Sequence, residues 1–193
     1  MTTKILAFAG SLRRDSFNKK LVQIAASGAR AAGAEVTYVD LREFAMPLYD
    51  GDLEAADGVP ENAKRFKALM KSHQAFLIAS PEYNSSISGV LKNTLDWASR
   101  AEPGEAPLAC FKGKVAGIMS ASPGALGGLR GLVTVRSILG NLHVIVLPEQ
   151  IAVSKAHEAL ADETRLHDAK QQAAIEALAA RVVQVTAALQ AAR

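Results

Sequence analysis

The sequence predicts an α/β fold, a doubly wound parallel sheet with helices on both faces. Three observations carry that expectation. Five short β-type runs alternate with longer stretches of helical periodicity. The first, third and fifth runs are nearly continuous in apolar residues, as strands covered on both faces require. No linker, internal repeat or low-complexity segment divides the 193 residues, so residues 1–193 are expected to form one domain.

The β-type runs are Lys4–Gly10 (KILAFAG), Glu35–Asp40 (EVTYVD), Ala75–Ser80 (AFLIAS), Lys114–Ala121 (KVAGIMSA) and Leu142–Pro148 (LHVIVLP). A helix over Ser16–Ala32 places Leu21, Ile24 and Ala25 on one face, and Gly33 is its stop signal. Pro60 opens a helix over Glu61–His73, and Ser86–Ser99 is helical up to EPGEAP. Ala125–Asn141 carries Leu129, Leu132, Val133, Val135, Ile138 and Leu139. In the last helix, from about Asp162 to Ala192, Leu178, Val182, Val185 and Leu189 fall on one stripe. The acidic stretch Asp50–Gly58 lacks the spacing of a calcium loop and is expected as a solvated loop. Crossovers between the parallel strands are expected to be right-handed.

Composition excludes several classes. Apolar residues make up 49% of the chain, too many for a disordered protein. Acids and bases are mixed, net charge is only +3, and no Lys/Arg block occurs, so a nucleic-acid partner is not expected. The lone Cys110 rules out an internal disulfide and a cysteine-based metal site, and reads as a small apolar residue. His73, His143, His157 and His167 show no ligand spacing, so no metal is expected. The opening MTTKILAFAGS lacks a secretory h-region, and no apolar run approaches the ~20 residues of a membrane span. The cytoplasm is the expected compartment.

In a doubly wound sheet, ligands bind beyond the carboxyl ends of the strands, near the switch in strand order. Three loops leaving those ends are unusually rich in polar residues and glycine. Gly10–Lys20 (GSLRRDSFNKK) leads into a helix whose start offers unpaired N–H groups and partial positive charge. Ser11, Ser16 and Asn18 add neutral donors and Arg13 or Arg14 a full charge, which suits a phosphate monoester. A plain helix cap by Ser16 accounts for one of these residues, not for all of them. PEYNSS follows the third strand, with more polar residues than a turn needs. In SASPGALGGLRG after the fourth, Ser120 and Ser122 bring hydroxyls, while Gly124, Gly127 and Gly128 permit close backbone approach. The triphosphatase loop, the G-x-G-x-x-G fingerprint and the G-x-S-x-G elbow are all missing. Asp40, lacking glycines upstream, reads as a turn residue.

GSLRRDSFNKKL, PEYNSSISGVLKNTLDW and SPGALGG resemble the NADPH-dependent FMN reductase family, whose members include bacterial quinone and chromate reductases. The similarity runs from Lys4 to about Glu149. It implies a flavodoxin-like sheet of order 2-1-3-4-5, bound FMN, and NADPH or NADH as electron donor. The activity it implies is ping-pong hydride transfer through FMN to quinones or similar acceptors, with chromate, azo compounds and free flavin also open. It places the FMN phosphate on Ser11, Leu12, Arg13, Ser16, Phe17 and Asn18, provided that Asp15 points outward. The isoalloxazine and ribityl chain would lie along Pro81, Glu82, Tyr83, Asn84 and Ser85, with Ser120, Ser122 and Gly124 contributing from the fourth loop. No catalytic side chain is implied, because the flavin carries the chemistry. The resemblance further implies a homodimer or homotetramer, with Arg130 and Glu149 in an inter-subunit polar network. Asn93, Asp96 and Trp97 read as helix-packing and subunit-contact residues. Two other readings stay open: an FMN-binding electron carrier without NAD(P)H oxidation, and a non-flavin binder of phosphate esters.

Overall fold

A computed structural model describes residues 2–192. Strands β1 (Lys4–Ala9), β2 (Glu35–Asp40), β3 (Ala75–Ala79), β4 (Val115–Ala121) and β5 (Ile145–Val153) form a parallel sheet of order β2-β1-β3-β4-β5. The expected order and the first four strands hold to within one residue at each end. In β1 and β3, Ile5 pairs with Ala75 and Phe8 with Ile78. Because the side-chain period of a strand is two, alternate residues of one strand reach opposite helical layers. Ile5, Ala7, Leu77 and Met119 pack with helices α1 (Phe17–Ala31) and α7 (Ala169–Ala191). Leu6, Phe8, Phe76 and Ile118 face the other layer, α3 (Glu61–Ser72), α4 (Gly89–Ala98) and α5 (Leu129–Asn141).

Full coverage falls on β1, β3 and β4, with every residue of β3 and β4 buried. The fifth run, expected to be covered on both faces, is the edge strand and is partly open. It also runs on to Val153, five residues past Pro148, through a register shift between Ala116 and Ile118 on its neighbour. A proline ends a central strand but is tolerated at an edge bulge, which is why Pro148 misleads as a stop.

Other boundaries move for local reasons. Helix α5 starts at Leu129, not Ala125, because Gly127 and Gly128 turn left-handed just before it. Helix α4 starts at Gly89, not Ser86, because Ser86 pairs with Tyr83. Helix α7 starts at Ala169, where Asp168 accepts from the Lys170 and Gln171 N–H groups. The acidic stretch expected as a loop is helix α2 (Gly51–Asp57), exposed and capped by Asp50 on Asp52 N at 2.8 Å. A 3₁₀ turn (Leu41–Phe44) and α6 (Ala156–Ala159) complete the described elements. By length and composition α7, with a mean hydropathy of 1.2 over its most apolar window, is the one described helix able to cross a membrane. Its Ile175, Leu178, Ala179 and Val182 stripe is buried in the core beside α1.

Trp97 is fully buried and donates from Nε1 to Pro47 O at 2.8 Å, while Asn93 holds Tyr49 N and Pro47 O. Both brace the segment before α2, and Asp96 pairs with Lys92. Cys110 is buried as expected, and burial pushes its thiol up to about 11. His73 is buried between Leu69 O and Thr37 Oγ1, a structural role.

The least expected buried group is Lys67 on α3, with no exposed side-chain surface. Its ammonium donates to Arg100 O (2.5 Å), Glu102 (3.0 Å) and Glu105 (2.6 Å), fastening the segment after α4. Burial works to raise the Glu105 pKa, but bonds from Lys67 and Lys71 outweigh it and hold it at about 2, below its ordinary 4.5. A lowered pKa means stability that is complete above pH 4.5 and lost as pH falls toward 2. Lys67→Met, which removes the buried partner of Glu105 and leaves it Lys71, should cost about 2 kcal/mol at pH 7 in chemical denaturation. The gap between wild type and variant should close as the titration is carried from pH 4.5 to 2.

Candidate active site

The switch in strand order lies between β1 and β3, so the loops leaving them diverge around a crevice. Gly10 N donates to Ala79 O at 2.9 Å and Ser88 Oγ to Gly10 O at 2.6 Å, tying the two loops together at their roots. A side chain at Gly10 would press on Leu91 Cβ at 2.9 Å, so only glycine lets the first loop sit on α4. Above this junction is a concavity of about 90 Å³, lined by Ser11, Arg13, Ser16, Phe17, Asn18, Pro81, Glu82, Tyr83, Ala121, Ser122 and Pro123.

Its floor is the start of α1. Ser16 occupies the cap position but makes no side-chain cap bond, and no acid lies in the first turn. The first-turn N–H groups therefore keep their capacity for an outside anion. Ser11 is buried and its Oγ accepts from Arg13 N at 3.3 Å, which shapes the loop. Asp15 points outward, to Lys20 at 2.7 Å, and that contact holds its carboxyl below the usual carboxylate range. Arg13 forms no ion pair among the described residues, since Asp15 is taken by Lys20. Free N–H groups, hydroxyls and an unpaired guanidinium make a donor set that fits a phosphate dianion, and the one carboxylate in the lining, Glu82, is engaged by Arg130 and Gly131 N.

Asn18 differs from its expected role as a free donor. Its carboxamide is buried and bonds both ways to Ala121, Nδ2 to O at 2.9 Å and N to Oδ1 at 3.0 Å. It is a strut between α1 and the end of β4. Asp40, expected in a turn, caps the 3₁₀ segment through Arg42 N and also pairs with the buried Lys19 at 2.7 Å. These bonds overcome burial and lower its pKa.

The third-strand loop is a miniature hairpin. Tyr83 and Ser86 exchange backbone bonds at 3.0 Å, and Asn84 (φ 51°) and Ser85 (φ 64°) turn between them. Two successive positive φ angles are those of a type I′ turn. Several residues of PEYNSSIS serve the loop's own structure. Glu82 accepts from Gly131 N at 3.0 Å and from Arg130, Asn84 takes the left-handed position, Ser86 closes the hairpin and Ser88 caps α4 on Leu91 N. Tyr83 stands half exposed at the rim.

The fourth-strand loop is folded on β5. Ser122 N donates to Val153 O, Ser122 Oγ accepts from Gly124 N, and Lys155 N reaches Gly124 O. A side chain on Gly127 would strike the Val153–Ser154 backbone, and one on Gly128 would strike Ser120 Oγ.

Of the predicted binding residues, Ser11, Arg13, Ser16, Phe17, Asn18, Pro81, Glu82, Tyr83 and Ser122 come together in the concavity. Leu12 does not; it lies half exposed in a separate apolar hollow with Leu41, Phe44, Met46 and Val90. Ser120 is buried beneath Gly128 with its hydroxyl unpartnered, and Asn84, Ser85 and Gly124 stand on the exposed rim. Ala121 and Pro123 line the wall but were not predicted, since neither carries a polar group; their adjacency to Ser122 was the available signal. Arg130, expected in an inter-subunit network, is committed within the chain to Glu82 at 2.6 Å, while Glu149 is exposed on the edge strand.

Comparisons with known proteins agree with this architecture. The model of the family described as NADPH-dependent FMN reductase matches residues 3–158. A probable NADPH:quinone oxidoreductase of Oryza sativa is 38% identical over 159 residues, covering 80% of this chain and 73% of the relative. An NAD(P)H-dependent FMN reductase of Pseudomonas aeruginosa is 38% identical over 175 residues, covering 90% and 89%. The solved flavoenzyme NAD(P)H:(acceptor) oxidoreductase FerB of Paracoccus denitrificans superposes with a TM-score of 0.80 at 27% identity, covering 96% of this chain and 98% of its own.

The backbone of the rim is testable without a ligand. Ser85→Gly should raise stability by about 1 kcal/mol, because glycine adopts positive φ without the side-chain penalty. Gly128→Ala should lower it by about 2 kcal/mol, from positive φ and the collision with Ser120. Denaturant unfolding of both variants reads these opposite signs.

Proposed function

The chain belongs to the NADPH-dependent FMN reductase family, and from that membership and the site we propose an FMN-dependent NAD(P)H oxidoreductase that reduces quinones. The observation that carries the proposal is the acid-free, uncapped start of α1 facing an unpaired Arg13 at the strand-order switch. When bound there, FMN supplies the two-electron chemistry that takes hydride from NAD(P)H and delivers it to an acceptor.

The chain's own residues bind and orient. Arg13, Ser11, Ser16 and the first-turn N–H groups would hold the phosphate. Pro81 and the half-exposed Tyr83 give one wall of the cleft, and Ala121, Ser122 and Pro123 the other. Glu82 and Asn18 act through backbone they hold in place, and both are spent inside the protein. Leu12 and Ser120 are left outside the direct binding set. No side chain is assigned as nucleophile or acid/base.

The same reading takes residues 1–193 as one cytoplasmic domain that assembles as a homodimer or homotetramer. Leu129 and Val133, exposed one turn apart on α5 and adjoined by exposed Leu126, are the apolar surface for that contact. NADPH and NADH both remain donors, and chromate, azo compounds and free flavin remain further acceptors.

The purified protein is expected to be yellow, with absorbance near ~450 nm set by the flavin, and to oxidise NADPH steadily when a quinone is supplied. Arg13→Ala should weaken FMN binding about 10- to 100-fold, the equivalent of one charge-assisted hydrogen bond, with thermal stability of the apoprotein kept. Equal FMN affinity in the variant would refute the phosphate assignment. FMN uptake without NADPH oxidation would make the protein an electron carrier.

A further inference from the structure

We propose that Glu82 is a positioning residue whose carboxylate, by capping α5 and pairing with Arg130, locks two walls of the cleft together and balances the charge beside it. The inference rests on the FMN reading above and goes beyond it, because the bonds concerned run between parts of the protein.

Helix α5 has no cap of its own. Its cap position is Gly128, in the left-handed region at φ 90°, with no side-chain bond, and no acid lies in its first turn. First-turn N–H groups need acceptors. The acceptor comes from another loop, with Glu82 Oε2 taking the Gly131 N–H at 3.0 Å. The other oxygen, Oε1, takes Arg130 Nε at 2.9 Å and Nη2 at 2.6 Å. The glycines make room for this. A side chain at Gly131 would meet Ser86 O at 3.2 Å and Glu82 Cβ at 3.3 Å. The loop after β3 is thereby fastened to the element that follows the loop after β4.

The pair is asymmetric. The Glu82 side chain is 8% exposed, whereas Arg130 is 59% exposed. Burial opposes ionisation of Glu82, but the Gly131 N–H and Arg130 prevail and hold its carboxyl below the usual range. A full negative charge therefore stands against the cleft wall at neutral pH, offset by a guanidinium that water also solvates. Charges at the wall of a cleft bias any group in it that gains electrons. Glu82 disfavours that gain and Arg130 favours it.

The test uses Glu82→Gln, which keeps an acceptor for Gly131 N–H, and Arg130→Gln, a change at an exposed position. FMN affinity of the apoprotein, thermal unfolding of the apoprotein, and the midpoint potential of the bound flavin are measured for each. Both variants should bind FMN more weakly, by up to about tenfold, because the ligand must then order two walls that are no longer fastened to each other. The potential should rise in Glu82→Gln and fall in Arg130→Gln. A plain strut would lower stability in both and leave the potential alone. Unmoved potentials, or shifts of the same sign, overturn the proposal. A wild-type protein that binds no FMN overturns instead the reading beneath it, and this inference with it.

Discussion

The architecture rests on the complete burial of three adjacent parallel strands. With β1, β3 and β4 covered on both faces, the helices that cover them must start and stop at the two ends of the sheet. Every carboxyl end of those strands therefore feeds a loop into the same rim, and the reversal of order between β1 and β3 opens a crevice there. Helix α1 begins in that crevice because it must return from β1 to β2. Its dipole and unpaired N–H groups are a consequence of the fold, and the loop sequence only has to refrain from cancelling them. It does so by omitting acid from the first turn and turning Asp15 toward Lys20.

The polar residues of the rim divide into two kinds by how their hydrogen bonds are used. Asn18, Glu82 and Ser88 spend theirs on backbone groups of the protein and so fix loop to helix and helix to strand. Arg13 and Ser16 keep theirs. Preorganisation of this sort lowers the ordering that a ligand would otherwise have to impose. It also explains why a binding rim is so much richer in polar residues than its count of ligand contacts requires.

That division is the part of the site the sequence does not disclose. Fold class and the three converging loops were legible, since alternating apolar runs and helical periodicity report burial directly, while the strand order came from the family resemblance alone. Chemical type was legible too: a cluster of Ser, Arg and Asn announces donors. Whether a given donor faces outward or inward depends on contacts over long separations, as with Asn18 and Ala121, 103 positions apart. The placement of Leu12 and Ser120 was hidden for the same reason, one turned to a neighbouring hollow and one roofed by Gly128. Helix α2 was missed because its charges suggest solvent exposure, which is correct, and exposure does not preclude a capped turn of helix.

The wall formed by the fourth-strand loop depends on a feature at the sheet's free edge. After the register shift, Gln150 to Val153 resume pairing with Ile118 to Ala121, and Val153 O then receives Ser122 N. A strand ending at Pro148 would leave that loop unsupported. The irregularity frees carbonyl groups that need donors, and Arg136 of α5 provides them, reaching Leu147 O at 2.8 Å and Pro148 O at 3.3 Å, and it also donates to the side-chain Gln150 Oε1 at 3.1 Å. The irregularity with Pro148 and exposed Glu149 also makes the edge a poor template for another strand. Helix α5 is thus held at its start by Glu82 and in its middle by the edge strand, so the element that follows the cleft wall is fixed at two points.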